Sequence, residues 1–401
     1  MLFKSVFICD KLIIGDMMSN LFKKMDKPLF IMMLIYTILG LVMIFSASSI
    51  TAVLYNKVAE SYFFTKQLEI VIVTWFICIF FVLRFPTSKY RTLAPLGMVA
   101  IIIALFGLFS YGIIINSANS WYNLGFINIQ PSEFCKTILI VYLAVYFEKI
   151  IMSKNITVMR IIFPFILALL ACGLVAYQPD LGTAIIIAGI SGLIFLALPI
   201  ETKEMKNMKI GAVLTAIILF FVIMFSGYAL NAEQTSRLTF KAPCTRYTEK
   251  TGYQVCNGFI AISNGGLFGV GLGNSTQKYL YLPEAHTDFI FPIVVEELGA
   301  LVGVLIIIGF LFILYRLLKI ARASSTIRGS IIAYGTFAYI LIHLLVNFMG
   351  ILALIPLTGV PVPFLSYGGS FYINLIFLLF LNQRVMIETN NSKTKNLIRS
   401  I

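Results

Sequence analysis

Charge is scarce in this sequence. Only 12% of its 401 residues are Asp, Glu, Lys or Arg, and 60% are hydrophobic, whereas a soluble globular chain carries roughly 25% charged residues. That shortage excludes a water-soluble fold, because no soluble core hides so much apolar surface and the bilayer must act as the solvent. No long polar stretch is present, which leaves no room for a second, soluble domain. The six cysteines lack metal spacing, and Cys78, Cys135 and Cys172 read as small apolar packing residues in or beside spans. The Gly-rich run Gly265–Gly273 has no preceding strand and no Gly-Lys-Ser/Thr ending, so it is not a nucleotide loop. Residues 6–14 are apolar, but the run is short and broken by Asp10 and Lys11, which argues against a signal peptide. Hydropathy shows no internal repeat to support an inverted-repeat transporter.

Long apolar runs are plentiful. About 20 apolar residues cross the hydrocarbon layer as a helix, and helices are forced because every backbone amide in lipid needs an internal partner. Spans are expected near 29–50, 66–83, 92–115, 132–148, 160–177, 182–200, 210–230, 288–315, 330–353 and 371–388. The fold class is therefore all-α and polytopic, with about ten transmembrane helices. A cytoplasmic segment 1–28, which includes Cys9 and could reflect an over-extended start, precedes a membrane domain 29–388, and a tail 389–401 follows. With the N-terminus inside, the inner segments hold most of the 30 basic residues, among them Lys23, Lys24, Arg84, Arg91, Lys203, Arg316, Arg322 and Arg384. The outer segments hold only Lys57, Lys66, Arg237, Lys241, Arg246, Lys250 and Lys278. Both termini are thus cytoplasmic, and the large loop between spans 7 and 8 is outside. The net charge of +13 is explained by anionic membrane lipids, without nucleic acid.

The polar chemistry gathers outside, in 116–131, 231–287 and 354–370 and in the turn Tyr177–Gly182. Asp288 opens the eighth span after Pro283-Glu284-Ala285-His286-Thr287. A carboxylate at the lip of a membrane helix is partly desolvated, which raises its pKa and suits it to act as a base; the plainer reading is a helix N-cap. Glu296 and Glu297 lie two turns deeper, where a carboxylate is paired or functional. Glu133 and Lys136 follow Pro131-Ser132 at a helix entrance, either as a closed i,i+3 ion pair or as a charge site for a head group. Asp180, in Gln178-Pro179-Asp180-Leu181-Gly182, either caps the sixth helix or serves a site. Trp121 is an interfacial anchor or a sugar-stacking platform. His343, with Asn347 one turn on, is expected to bond across helices. Cys244 and Cys256 both fall in the large outer loop, where a disulfide between them is permitted.

Assembled, these residues resemble the SEDS family, the FtsW/RodA type of peptidoglycan glycosyltransferase, from about residue 29 onward. The resemblance rests on Trp121 with Gln130-Pro131-Ser132-Glu133 and Lys136, on the turn 178–182, on Gly252-Tyr253-Gln254 through Gly273 to Pro283–Phe289, and on Pro361-Val362-Pro363-Phe364-Leu365-Ser366-Tyr367-Gly368-Gly369-Ser370. It implies a ten-span fold with both ends inside, and it moves Asp288 from cap to catalyst. It implies that Trp121, Glu133, Lys136, Asp180, Lys278, His286, Ser366, Gly368 and Gly369 bind substrate. One departure is plain. The family has a basic residue directly before the loop Trp, where this chain has Ser120, so a phosphate or head-group contact is either lost or supplied from elsewhere, with Arg237, Arg246 and Lys278 as candidates.

The implied reaction is polymerisation of lipid II at the outer face of the cytoplasmic membrane. Asp288 would take the proton from the acceptor's 4-hydroxyl, and undecaprenyl pyrophosphate would leave as a stabilised anion, so the second carboxylate of inverting hydrolases is not needed. Positive charge would come from Lys136, Lys278, an outer arginine or a divalent cation such as Mg or Mn. Glu284-Ala285-His286 and Tyr122-Asn123-Leu124-Gly125 favour the division type over the elongation type. A division-type chain is expected at the septum, with a class B penicillin-binding protein and other divisome membrane proteins as partners. A lipid flippase, a sporulation paralogue and a non-catalytic scaffold for a transpeptidase stand as alternatives.

Overall fold

The structure is a computed structural model, and it describes residues 20–115, 118–123, 125, 128–153, 156–225 and 242–399. Its core is a bundle of long helices in the expected places. They are α1 (Lys27–Ile50), α2 (Tyr62–Ile77), α3 (Tyr90–Tyr111), α4 (Pro131–Ser153), α5 (Val158–Tyr177), α6 (Leu181–Ala197) and α7 (Lys203–Phe225); after the outer helix α8 (Lys250–Gly265) come α9 (Ile290–Ala323), α10 (Ile327–Ile351) and α11 (Gly369–Arg399). Among the described residues, seven are long and apolar enough to cross a membrane by length and composition. Two more fall short for visible reasons: the α4 helix carries Glu133, Lys136, Glu148 and Lys149, and α6 has only 17 residues. The protein is a multi-pass membrane protein.

The two ends of the described residues meet on one face, as an even number of crossings requires. Lys24 Nζ donates to Asn391 Oδ1 at 2.6 Å, Gln383 Nε2 donates to Asp26 O at 3.1 Å, and Arg316 pairs with Asp26. On the same face Arg328 and Arg91 both pair with Glu148. The α4 helix is the most enclosed element and packs against α3, α6, α10 and α11.

Three expectations need adjustment. Helix α9 starts at Ile290 and its N-cap is Phe289, so Asp288 belongs to the preceding loop and does not open the span. Helix α11 runs without a break from Gly369 to Arg399, so the stretch from 389 continues the last helix. The loop after α3 forms a small antiparallel sheet of β1 (Ile113–Ile115), β2 (Ala118–Asn123) and β3 (Asn128–Ile129), an addition to the all-α frame. Residues 1–19, including Cys9 and the run 6–14, and Arg237 and Lys241 in the outer loop lie outside the described residues.

Candidate active site

The segment between α8 and α9 explains the Gly-rich run. Gly299 breaks α9 with φ +88°, and the chain from Gly266 to Gly271 passes alongside the break. Val270 N donates to Glu296 O at 2.9 Å, Gly271 N to Glu297 O at 3.0 Å, and Ala300 N to Gly266 O at 2.9 Å. These bonds satisfy backbone groups that lipid could not, which is how irregular backbone survives at membrane depth. A Cβ on Gly299 would sit 2.3 Å from Leu267 O, and one on Gly269 would sit 2.3 Å from Glu297 O, so the two backbones touch only because both residues are glycine.

The carboxylates of Glu296 and Glu297 hold the rest of this re-entrant loop. Glu296 accepts from Asn264 Nδ2 at 3.2 Å, from Thr276 Oγ1 at 3.0 Å and from the Ser275 hydroxyl. Glu297 accepts from Ser46 Oγ on α1 at 2.7 Å and from Lys278 Nζ at 3.0 Å. Lys278 was expected to meet substrate phosphate. It is buried instead, committed to Glu297 and to Gly273 O at 2.6 Å. Both glutamates thus serve pairing, the first of the two roles left open for them.

The loop delivers Asp288, which is buried at 7% exposure. Asn347 Nδ2 on α10 donates to Asp288 O and to Val360 O, both at 2.8 Å. Ser366 Oγ donates to Thr287 O at 2.6 Å and accepts from Val362 N at 2.8 Å. Tyr367 N donates to His286 O at 2.9 Å. Segment 356–370 therefore grips the backbone on either side of Asp288. Ser366 was expected to bind substrate, but its hydroxyl is spent on this grip. Gly368 N reaches Gln67 Oε1 on α2 at 3.4 Å, and Gly369 starts α11 where a Cβ would meet Ile70 at 3.0 Å. Both glycines thus seat the loop against α2.

Burial, followed by the negative field of Glu284, pushes the Asp288 carboxyl up to about 7. The first cause is the desolvation anticipated from the sequence. Burial moves His286 the other way, keeping its imidazole neutral; its ring packs 4.7 Å from Phe63 and 5.8 Å from Tyr367.

A second polar group lies beside this loop. Lys136 Nζ donates to Glu133 Oε1 at 2.7 Å and lies 3.1 Å from His343 Nε2, with the Tyr339 ring 5.5 Å away. The ion pair and the cross-helix histidine are both present. Asp180 caps α6 by accepting from Thr183 N at 3.1 Å and also accepts from Gln130 Nε2 at 3.0 Å. Gln130 N in turn donates to Ser370 Oγ at 3.2 Å. Trp121 is half-buried on β2, and it joins the group through the sheet, where its neighbour Tyr122 pairs with Ile129. Arg246 pairs with Glu249 at 2.9 Å, and Cys244 is bonded to Cys256. Among the described residues no cluster of three or more His, Cys, Asp or Glu could hold a metal ion, and no residue set for a resident divalent cation stands out. Sequence reasoning missed Gln130, Thr287 and Ser370 as individual actors. All three lie inside the motifs named above, but Gln130 and Ser370 meet partners remote in the chain, and the Thr287 hydroxyl reaches Glu284 and Asp288 only through the turn that the fold makes there.

Residues 26–391 match the family of FtsW, RodA and SpoVE, described as cell cycle protein. The chain is 36% identical over 370 residues, 90% of each chain, to the Bacillus subtilis (strain 168) protein named "Probable peptidoglycan glycosyltransferase FtsW". It is 35% identical over 354 residues to "Stage V sporulation protein E" of the same organism, covering 86% of this chain and 92% of that one. In fold it resembles a chain of a peptidoglycan synthase complex studied for its coordination of polymerization and crosslinking, with TM-score 0.71, 22% identity and coverage of 91% and 98%. It also resembles the rod shape determining protein RodA of Thermus thermophilus, with TM-score 0.63, 22% identity and coverage of 90% and 96%.

Proposed function

Because the chain belongs to the family of FtsW, RodA and SpoVE, we propose that it is a peptidoglycan glycosyltransferase that polymerises lipid II at the outer face of the membrane. The observation that carries this reading is Asp288, a buried carboxylate outside the spans, gripped through its backbone and raised to about 7. A base with that pKa is half ionised at neutral pH, close to the optimum for general-base work. Asp288 removes the proton of the acceptor 4-hydroxyl as that oxygen attacks the donor's anomeric carbon. The bond from that carbon to pyrophosphate breaks, and undecaprenyl pyrophosphate departs as an anion that needs no proton. Trp121, Asp180 and His286 line the region where the sugar and phosphates are handled, with the buried Lys136–Glu133 pair behind them. Lys278 and Ser366 act at one remove, by holding the Asp288 loop.

The chain works within a peptidoglycan synthase complex. Its partner is a class B penicillin-binding protein, and its place is the division septum; the sporulation paralogue is the nearest rival, with almost equal identity. A flippase is disfavoured by one specific observation. The charges that would line a head-group path are committed to one another, Lys136 to Glu133 and Lys278 to Glu297. The test is product formation. Purified protein with its partner in detergent, where no second leaflet exists, is expected to convert lipid II to glycan polymer. No polymer there, with transbilayer movement of lipid II in vesicles, would establish the flippase instead.

A further inference from the structure

Asp288 collects one proton per sugar added and must lose it before the next cycle, yet it is buried. Its two oxygens face different surroundings. Oδ2 looks toward Gly359, where a Cβ would sit 3.9 Å away. Oδ1 lies 3.2 Å from Thr287 Oγ1, and that hydroxyl lies 2.7 Å from Glu284 Oε2. Glu284 is exposed to water. The turn is closed by Thr287 N and Phe289 N, which both donate to Glu284 O at 3.1 and 3.2 Å, and Glu284 adopts φ +55° to make it. This curl brings the glutamate side chain back over the aspartate.

A threonine hydroxyl has one proton and two lone pairs. Its one proton is within reach of three acceptors, Glu284 Oε2 at 2.7 Å, Glu284 O at 3.1 Å and Asp288 Oδ1 at 3.2 Å. Toward an ionised Asp288 the hydroxyl can donate; once Asp288 holds a proton, the same contact lets the hydroxyl accept from it while donating to Glu284. One hydroxyl thus bridges the two carboxyl groups in either protonation state.

We propose that Thr287 and Glu284 form a proton exit relay for Asp288, a deepening that rests on the glycosyltransferase reading above. The Asp288 O–H bond breaks as Thr287 Oγ1 takes that proton. The original Thr287 O–H bond breaks as Glu284 Oε2 takes the second, and Glu284 passes it to water. The net change is one proton moved from Asp288 to solvent, with the hydroxyl restored. The other titratable groups facing this loop are His286, which is kept neutral, and the phenols Tyr367 and Tyr62. Glu284 is the charged group whose field acts on Asp288, so its ionised form also keeps the base from becoming too weak.

The experiment measures lipid II polymerisation by the purified protein with its partner across pH 5.5–9, in dilute buffer and with added imidazole. Thr287→Val is expected to lower kcat at least ~10-fold with KM unchanged, to recover as imidazole rises, and to be rescued by Thr287→Ser, which keeps the hydroxyl. Glu284→Gln is expected to lose rate in dilute buffer, to recover with imidazole, and to move the acid limb of the profile to lower pH. Parent-like rates for Thr287→Val and Glu284→Gln overturn the relay, as does a loss that neither imidazole nor Thr287→Ser restores. An Asp288→Asn control separates the two layers. If it stays active the underlying reading fails, whereas if it is dead while the relay variants are parent-like the relay alone fails.

Discussion

Lys278 offers a clean contest between two roles. The resemblance to the family suggested a phosphate contact, and the structure gives a buried pair with Glu297 in which the side chains are 4% and 0% exposed. Replacing Lys278 by Met removes the ammonium and leaves the Glu297 carboxylate with the Ser46 hydroxyl and Ser275 N. Removing one partner of a buried pair costs about 3–5 kcal/mol, because the other charge is stranded. That shifts the folding equilibrium by about two to three and a half orders of magnitude. The assay is thermal melting of the detergent-purified protein, with KM for lipid II measured on what remains folded. Lys278→Met is expected to melt well below the parent with KM little changed. The double variant Lys278→Met with Glu297→Gln is expected to regain much of the loss, since no charge is then left unpaired. A Lys278→Met protein that melts with the parent but needs far more lipid II would refute the pairing and restore the phosphate contact.

Three other outcomes follow from the same geometry. With Asp288 raised to about 7 and required as a carboxylate, the polymerisation rate should climb about tenfold per pH unit below 7 and level off above it; a flat profile from pH 5.5 to 7 contradicts this. Non-reducing mass mapping should recover the Cys244–Cys256 peptide, and replacing both cysteines by Ser should remove up to about 3 kcal/mol from the outer loop, read as faster proteolysis between residues 242 and 256. Gly299→Ala forces a Cβ to within 2.3 Å of Leu267 O at φ +88°, so little folded protein should accumulate, and normal yields would show that the helix break is dispensable.

How much of this was legible in the sequence depends on distance along the chain. Hydropathy and the inside bias of Lys and Arg are local signals, and they placed the helices and put both ends on one side. Asp288 was legible as a desolvated acid because its apolar neighbours are adjacent in sequence. The Gly265–Gly273 run announced unusual backbone, but its purpose lies in Gly299, whose bonding partners only the fold reveals. The partners of Ser366 and Lys278 were hidden for the same reason: a hydroxyl or an ammonium looks available until its contact with Thr287 or Glu297 is known. The small sheet around Trp121 was missed because β1 and β3 have only 3 and 2 residues, too few to show a period of two. Asp180 is a cap with a second, remote partner, since one carboxylate accepts from Thr183 N and from Gln130 at once.

The central claim is that the Asp288 carboxylate is the base. Burial opposes its ionisation in the folded state, so its raised pKa costs stability that is absent below pH 4 and grows as pH rises to about 7, reaching about 4 kcal/mol as an upper bound. Asp288→Asn keeps the shape and removes both the penalty and the base. The decisive measurement is lipid II polymerisation by purified Asp288→Asn with its partner, alongside its melting temperature at pH 8. The account predicts a protein that melts at or above the parent and makes no polymer; a folded Asp288→Asn protein that polymerises at the parental rate would contradict it.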